Sequence, residues 1–426
     1  MSAMKLALLG GPKIVTIQDP EQWCPPIDRE IELCTRIIRE RAFSQTNSGI
    51  SGEFERGFKE LVGTEFCLSQ NSGTSTLLAA YFAVGVGPGD EIITPSYGWI
   101  CTFGPAMLLG ARPVFCEIDP ETVLADPDDI EQRITPRTKA ICVPHLFGNV
   151  CDLDRILAIG RKHGVPVIED CSHSHCAQWD GNPVGSLGDV GCFSMQGSSP
   201  GGKPVAGGEA GVVVTNNRRY YERIMVMGHF NRRGFVDEIT DPDYKSIGST
   251  GFALTKFRPS ALSMAIGLAS LESVRYRSKQ IWEHYLQIKD GLKGLPGLRM
   301  ASWYPKAQPG GFYGDFKGIY NPGELGGLPV AKFIEAVRAE GASLGGSSFP
   351  LWHLNPIFTK GLSLYDDGRG PLSGDYKCYE QGDLPVTEKA YSRIVSFPSL
   401  IEPKEGYIKE YVTAIQKVVE NYKDLL

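Results

Sequence analysis

The sequence predicts an α/β protein with a large domain built on a mostly parallel sheet and a smaller C-terminal α/β domain. Three observations lead there. From about residue 54 to 215, short apolar runs alternate with segments of helical periodicity, the pattern of a parallel sheet covered on both faces. After Asn217 the pattern gives way to a polar stretch and then to long helical segments separated by loops rich in Gly and Pro. A chain of 426 residues is also too long for one ordinary core. The boundary is expected near residue 255, giving a large domain with an N-terminal arm over 1–255 and a small domain over 256–426.

In chain order, FERGFKELVG reads as a helix closed by its glycine, CLSQ as a short strand, and TSTLLAAYFAVGVG as a second helix. The turn PGD leads into the strand EIITPS. Then follow TFGPAMLLG (helix), PVFCEI (strand), DPDDIEQRI (helix), KAICVPHLF (strand), CDLDRILAIGRKHG (helix) and VPVIED (strand). The loop GGKPVAGGEA runs into the β-branched strand GVVVT. Beyond it, SALSMAIGLASLESVRYRSKQIWEHYLQIKDGL, VAKFIEAVRAEG and EYVTAIQKVVENYKDLL carry helical periodicity. No internal repeat or low-complexity tract interrupts the pattern.

Composition narrows the function. With 42% hydrophobic and 22% charged residues the chain is that of a globular protein. Lys plus Arg total 43 against 49 Asp plus Glu, a net charge of −6, which disfavours nucleic acid as a partner. The apolar run in MSAMKLALLGGPKIV is short and broken by Gly-Gly-Pro, unlike a signal peptide, and no apolar stretch reaches spanning length, so no membrane partner is expected. The 11 cysteines are scattered without CxxC pairs, and Cys101, Cys116, Cys142, Cys171 and Cys192 lie in or beside apolar runs. They read as buried thiols of a cytoplasmic protein, with neither a disulfide framework nor a metal site.

Four features could carry chemistry. In NSGTST, Gly73 and Thr74 open a helix after a short strand, where free N–H groups and a hydroxyl suit a phosphate; residues of this kind also serve as plain caps. The strand VPVIED brings Glu169 and Asp170 to the carboxyl edge of a parallel sheet, where ligands bind, and a carboxylate there can hold a positively charged ring nitrogen. An aromatic ring that stacks on a ligand would be the third. Lys203, set among glycines just before a strand, is placed as a Schiff-base lysine would be, desolvated beside an acid and a phosphate pocket. His173 and His175 alternate, so in an extended segment they would share a face, but the remaining histidines are too dispersed for a metal site.

The combination resembles the DegT/DnrJ/EryC1/StrS family of pyridoxal-phosphate-dependent sugar and cyclitol aminotransferases, which have the aspartate aminotransferase fold, fold type I. The resemblance spans nearly the whole chain and is carried by NSGTSTLLAAYFAVGVGPGDEIITPSYGWICT, ARPVFCEIDP, PHLFGNVCDLDRILAIGRKHGVPVIEDCSHSHCA, VGSLGDVGCFSMQ and GKPVAGGEAGVVVT. It implies that Gly73, Thr74 and Ser194 bind the cofactor phosphate, that Trp99, with Tyr97 the weaker alternative, stacks on the pyridine ring, and that Asp170 pairs with the ring nitrogen. His173 would stand beside the cofactor. Lys203 would form the internal aldimine and then shuttle a proton, while L-glutamine or L-glutamate leaves its amine on pyridoxamine phosphate for a keto-sugar or keto-cyclitol, as in aminoglycoside-type biosynthesis. His145 and, in SSFPLWHLNP, Trp352 and His353 lie where family members line the substrate pocket, although each reads equally well as a packed, hydrogen-bonded side chain. A homodimer with shared sites is implied.

Two departures from the family pattern stand out. Nine positions separate Ser194 from Lys203 where the family usually has five, as if four residues of SSPGG were inserted; an ungapped count would put Ser199 in the lysine's place. This motivates an alternative, a sugar dehydratase using the same cofactor without the lysine, or a relative that has lost turnover. In LTKFRPSALSM, Lys256 and Arg258 occupy the positions of an Asn and an Arg that reach the neighbouring subunit's phosphate in the family.

Overall fold

The computed structural model describes residues 5–44, 49–198, 201–232, 234–365 and 368–426. A seven-stranded sheet forms where the alternation predicts it, from β1 (Phe66–Gln70), β2 (Glu91–Pro95), β3 (Arg112–Cys116), β4 (Thr138–Pro144), β5 (Val167–Asp170), β6 (Val190–Ser194) and β7 (Gly211–Thr215). The spatial order is β1-β7-β6-β5-β4-β2-β3. Strands β3, β2, β4, β5 and β6 pair in parallel, and β7 runs antiparallel to both its neighbours, β1 and β6. Helices on both faces bury the sheet, which is why β2 and β7 are buried along their whole length.

The helices that position the site are α1 (Ile27–Glu40), α2 (Ile50–Val62), α3 (Gly73–Val84), α4 (Gly104–Leu108), α5 (Pro127–Gln132), α6 (Leu153–His163) and α7 (Arg218–Gly228). Side chains close their first turns: Ser72 accepts from the Ser75 amide, Asp152 from that of Arg155, and Asn217 from those of Arg219 and Tyr220. The register then sets the working edge. Pro144 pairs with Asp170, and Asp170 with Cys192, so whatever follows β4, β5 and β6 emerges at one level.

Two elements are shorter than the sequence predicts. The strand expected through Phe147 stops at Pro144, because the chain turns at Leu146–Gly148 with Phe147 in the left-handed region at φ 57°. The helix expected over TFGPAMLLG contracts to the five residues of α4, preceded by a short turn at Ile100–Thr102.

Past the expected boundary at 255 lies a helix of 31 residues, α8 (Ala261–Gly291). Its first half, through Met264, Ala265 and Ala269, packs in a cluster with Phe54, Phe58 and Phe193. Its second half, through Ile281, Tyr285 and Ile288, belongs to a separate cluster around α9 (Val330–Ala339), α10 (Tyr407–Glu420) and an antiparallel sheet of β8 (Leu298–Met300), β9 (Phe316–Tyr320) and β10 (Ile394–Phe397). Leu6 and Val15 lie in this C-terminal cluster, whereas Trp352, Phe358 and Leu384 lie in the cluster of α3 and the main sheet, so the chain crosses between cores several times. No helix among the described residues is long and apolar enough to cross a membrane.

The N-terminal segment is held by a buried ion pair. Lys417 Nζ donates to Glu340 Oε2 (2.9 Å) and to the Pro12 carbonyl (2.9 Å), and Glu340 Oε1 accepts from the Ala7 amide (2.7 Å). Glu340→Ala leaves a buried ammonium without its counter-charge. It is expected to cost about 3–5 kcal/mol, whereas Glu340→Leu combined with Lys417→Met costs far less; urea denaturation of the two variants checks this.

Candidate active site

Above the carboxyl edge of β4, β5 and β6 lies a cavity of about 420 Å³ whose walls include Gly73, Thr74, Trp99, His145, Asp170, His173, Ser194 and Lys203. This is the position where open parallel sheets bind ligands.

One end is the first turn of α3. The amides of Gly73 and Thr74 have no partner within the helix and carry the positive end of its dipole. Glycine is obligatory at 73: a Cβ there would stand 2.5 Å from Cβ of Ser194. A Cβ at Gly211 would likewise stand 2.5 Å from the Ser72 carbonyl oxygen. Two bare positions therefore let the β6–β7 pair approach α3 closely enough to set the Ser194 hydroxyl beside the helix start. The resulting cradle has the donors that an anion such as phosphate requires.

The strand-end acids divide their work. Glu169 is fully buried and turned away from the cavity, accepting from His145 Nε2 (3.1 Å) and from the amides of Gly185 (2.9 Å), Leu187 (3.0 Å) and Gly188 (2.6 Å). His145 Nδ1 accepts from the Cys151 amide (3.2 Å), so both its ring nitrogens are used in holding the wall. The ligand atoms of His145, Glu169 and Cys171 cluster within 4.8 Å of one another, but this hydrogen bonding makes the group a structural node. Asp170 faces the cavity, held by Thr102 Oγ1 (2.8 Å) and the Ser172 amide (3.2 Å).

Lys203 is in the pocket despite the apparent insertion. The Gly202 amide returns to the Ser198 carbonyl (2.7 Å) and the Lys203 amide to that of Gln196 (2.9 Å), while Gly197 and Gly208 pair across the base. Ser198 and Gly202, on either side of the added stretch, are thereby held together, and the chain resumes at Lys203 beside Gln196; Ser199 lies outside the described residues. Three groups pin the chain beyond it: His175 Nδ1 accepts from the Val205 amide (3.1 Å), Ser270 Oγ from that of Ala206 (3.0 Å), and Arg277 donates to the Pro204 carbonyl (2.5 Å). Lys203 is 8% exposed. Burial draws its amine from 10.5 down to about 7, against the opposing pull of the Asp170 carboxylate.

His173 lines the same cavity, and burial, reinforced by the Lys203 and Lys317 charges, holds it well below the usual histidine range and therefore neutral. Its Nδ1 is buried without a hydrogen-bond partner among the described residues. His175 does not share its face, because residues 171–177 turn instead of extending, and its ring packs against Phe193. Trp99 stands at the mouth, 53% exposed.

Five predicted residues do not line the cavity. Tyr97 is completely buried, packed on Phe349 and Tyr391. His353 is completely buried, its ring nitrogens taken by Ser96 (2.7 Å) and Glu388 (3.2 Å), so it supports the wall instead of meeting substrate. Trp352, singled out beside it, packs on Phe103 and donates to the Gly98 carbonyl (2.9 Å). Lys256 is exposed, with its carbonyl accepting from Asn71, and the Arg258 guanidinium lies over the ring of Phe230.

Sequence reading missed Thr102, Tyr313 and Phe349 in the wall. Of the cysteines expected to be buried thiols, Cys24 and Cys378 are exposed and Cys34, Cys101 and Cys176 half-buried, Cys101 lining the cavity. Tyr313 and Phe349 come from sequence far downstream, and no spacing signal announces such long-range neighbours.

The orphaned His173 nitrogen, the anion cradle, the strand-end acid and the desolvated amine together fit a phosphorylated, ring-bearing aldehyde cofactor. A sheet of this order with a buried lysine at its carboxyl edge is the architecture of fold type I aminotransferases. The chain belongs to the DegT/DnrJ/EryC1/StrS aminotransferase family, which matches residues 27–359. It is 30% identical over 440 residues to an L-glutamine:scyllo-inosose aminotransferase of Streptomyces griseus, covering 99% of each chain. It is 39% identical over 380 residues to an L-glutamine:2-deoxy-scyllo-inosose aminotransferase of Streptomyces paromomycinus, covering 86% of this chain and 85% of the other. The fold matches that of an aminotransferase from Psychrobacter cryohalolentis with a TM-score of 0.81 at 22% identity, over 95% of this chain and 99% of that one.

Two measurements check the site. Glu169→Ala strands four buried donors and is expected to cost about 3 kcal/mol of stability in urea denaturation. Reductive methylation of the cofactor-free protein should label Lys203 half-maximally near pH 7, with exposed lysines following some three units higher.

Proposed function

We propose that this protein is a pyridoxal-phosphate-dependent aminotransferase that moves the amino group of L-glutamine to a keto-cyclitol. The observation that carries the reading is the buried amine of Lys203 in one cavity with Asp170 and the open first turn of α3. The names of the two Streptomyces relatives support the donor and the acceptor class.

Gly73, Thr74 and Ser194 would hold the cofactor phosphate, Trp99 would lie against its ring, and Asp170, oriented by Thr102 and Ser172, would hold a proton on the ring nitrogen. When bound, the cofactor supplies an electron-withdrawing ring that stabilises negative charge at the carbon bearing the transferred amine. With its amine near neutrality, Lys203 can both bond to an aldehyde carbon and move a proton at Nζ. Neutral His173 offers a ring nitrogen to the cofactor's edge. That Lys203 lines the cavity in spite of the apparent insertion supports the aminotransferase reading over the dehydratase one.

We read the enzyme as a homodimer whose exposed Trp99 is covered by the second copy and whose Lys256 and Arg258 reach toward the partner's phosphate. All 11 cysteines are free, which supports a cytoplasmic setting.

Reconstituted with pyridoxal phosphate, the protein should show a visible absorption band that L-glutamine bleaches and a scyllo-inosose-type ketone restores. Lys203→Ala should lack the band and lose turnover by about 10³-fold or more. A band that L-glutamine leaves unchanged would overturn the donor assignment.

A further inference from the structure

The ring of Tyr313 is centred 3.5 Å from Lys203 Nζ and 4.7 Å from the ring of His173. The residue sits on a strap, residues 308–315, that leaves the C-terminal core and threads against the large sheet's edge. The Gly310 amide donates to the Gly148 carbonyl (2.9 Å), the Gly311 amide to Ser278 Oγ (2.7 Å), and Phe312 bridges to Ser174. The fit admits no extra atoms: a Cβ at Gly311, whose φ is 56°, would stand 2.4 Å from the Cys176 amide nitrogen, and one at Gly148 would stand 2.0 Å from the Phe312 ring. With Gly310, Gly311 and Phe312 held in this way, and the Gly314 carbonyl accepting from Ser399 Oγ (3.1 Å), the backbone sets the place of Tyr313.

An ammonium over the face of a tyrosine ring is attracted by the ring's quadrupole, the more so when desolvated. We propose that Tyr313 is a positioning residue for Lys203, its ring face being the seat of the amine whenever that amine is not bonded to the cofactor. An amine so held stays over the cavity in a single rotamer, ready for the next bond, instead of swinging toward the open mouth. Asp170 at the end of β5, Cys101 in the turn after β2, His173 in the turn after β5 and Glu209 line the cavity with the amine and Tyr313, and the charge of the amine is felt at His175. Asp170, Cys101 and the ring favour the charged form, and burial opposes it.

The role of Lys203 in turnover rests on the aminotransferase reading, but the seat itself is testable without it. In the full chain before cofactor is added, the pH dependence of reductive methylation at Lys203 is read by peptide mass spectrometry. Tyr313→Leu removes the ring face and is expected to shift the midpoint to lower pH by about three- to tenfold in proton concentration. Tyr313→Phe, which keeps the face, should keep the parent midpoint. Labelling of Lys317, buried over the ring of Phe147, reports that the core remains closed in each variant. Equal midpoints in all three proteins, a rise in the leucine variant, or a phenylalanine variant that behaves like leucine would each overturn the seat. Failure of L-glutamine to bleach the reconstituted parent would instead strike the aminotransferase reading and leave the labelling result standing.

Discussion

Keeping an amine out of water at the edge of a parallel sheet is the constraint around which this molecule is arranged. A lysine at 8% exposure gives up most of its hydration, and nothing in its own loop of glycines can hold it there. The restraint is borrowed: a histidine after β5, and a serine and an arginine on α8, take the main-chain groups on the far side of Lys203, while a tyrosine from the C-terminal core lies under its nitrogen. Glycine permits the close approach, and neighbouring elements supply the rigidity.

The same division of labour governs the acids. Adjacent residues of one strand point to opposite faces, so Glu169 and Asp170 inevitably receive different surroundings. The inward one is saturated by four donors and ties β5 to the turn at 185–188 and to His145. The outward one keeps an open side toward the cavity. A purely structural carboxylate thus fixes the level at which its neighbour is presented.

Most of the sheet was legible because fully buried parallel strands and capped helices leave local signatures: apolar runs, a serine at 72, a glycine at 63. Gly73, Thr74 and Asp170 were legible because each sits at an element's end that the alternation itself defines, and Lys203 because a lone lysine stands among glycines before a strand, whereas Trp99, His173 and Ser194 came from the family resemblance; all seven line the cavity. The strand through Phe147 was misjudged because apolar residues continue past the point where a left-handed residue turns the chain. His353 and Tyr97 were placed near the right wall, but whether a side chain faces the cavity or the core depends on partners such as Glu388 and Tyr391, which sequence order does not reveal. Tyr313 escaped notice for the same reason, since a strap crossing from the other core has no counterpart in local periodicity.

The 31-residue helix α8 also limits how the molecule can move. It is a single rod embedded at one end in the core that carries the sheet and at the other in the core that carries the strap. Swinging one core against the other would require that rod to bend or to pull free of its packing, and an unbroken helix resists both. The helix therefore ties the two cores to one rod, and any movement of one against the other has to work against its packing at both ends.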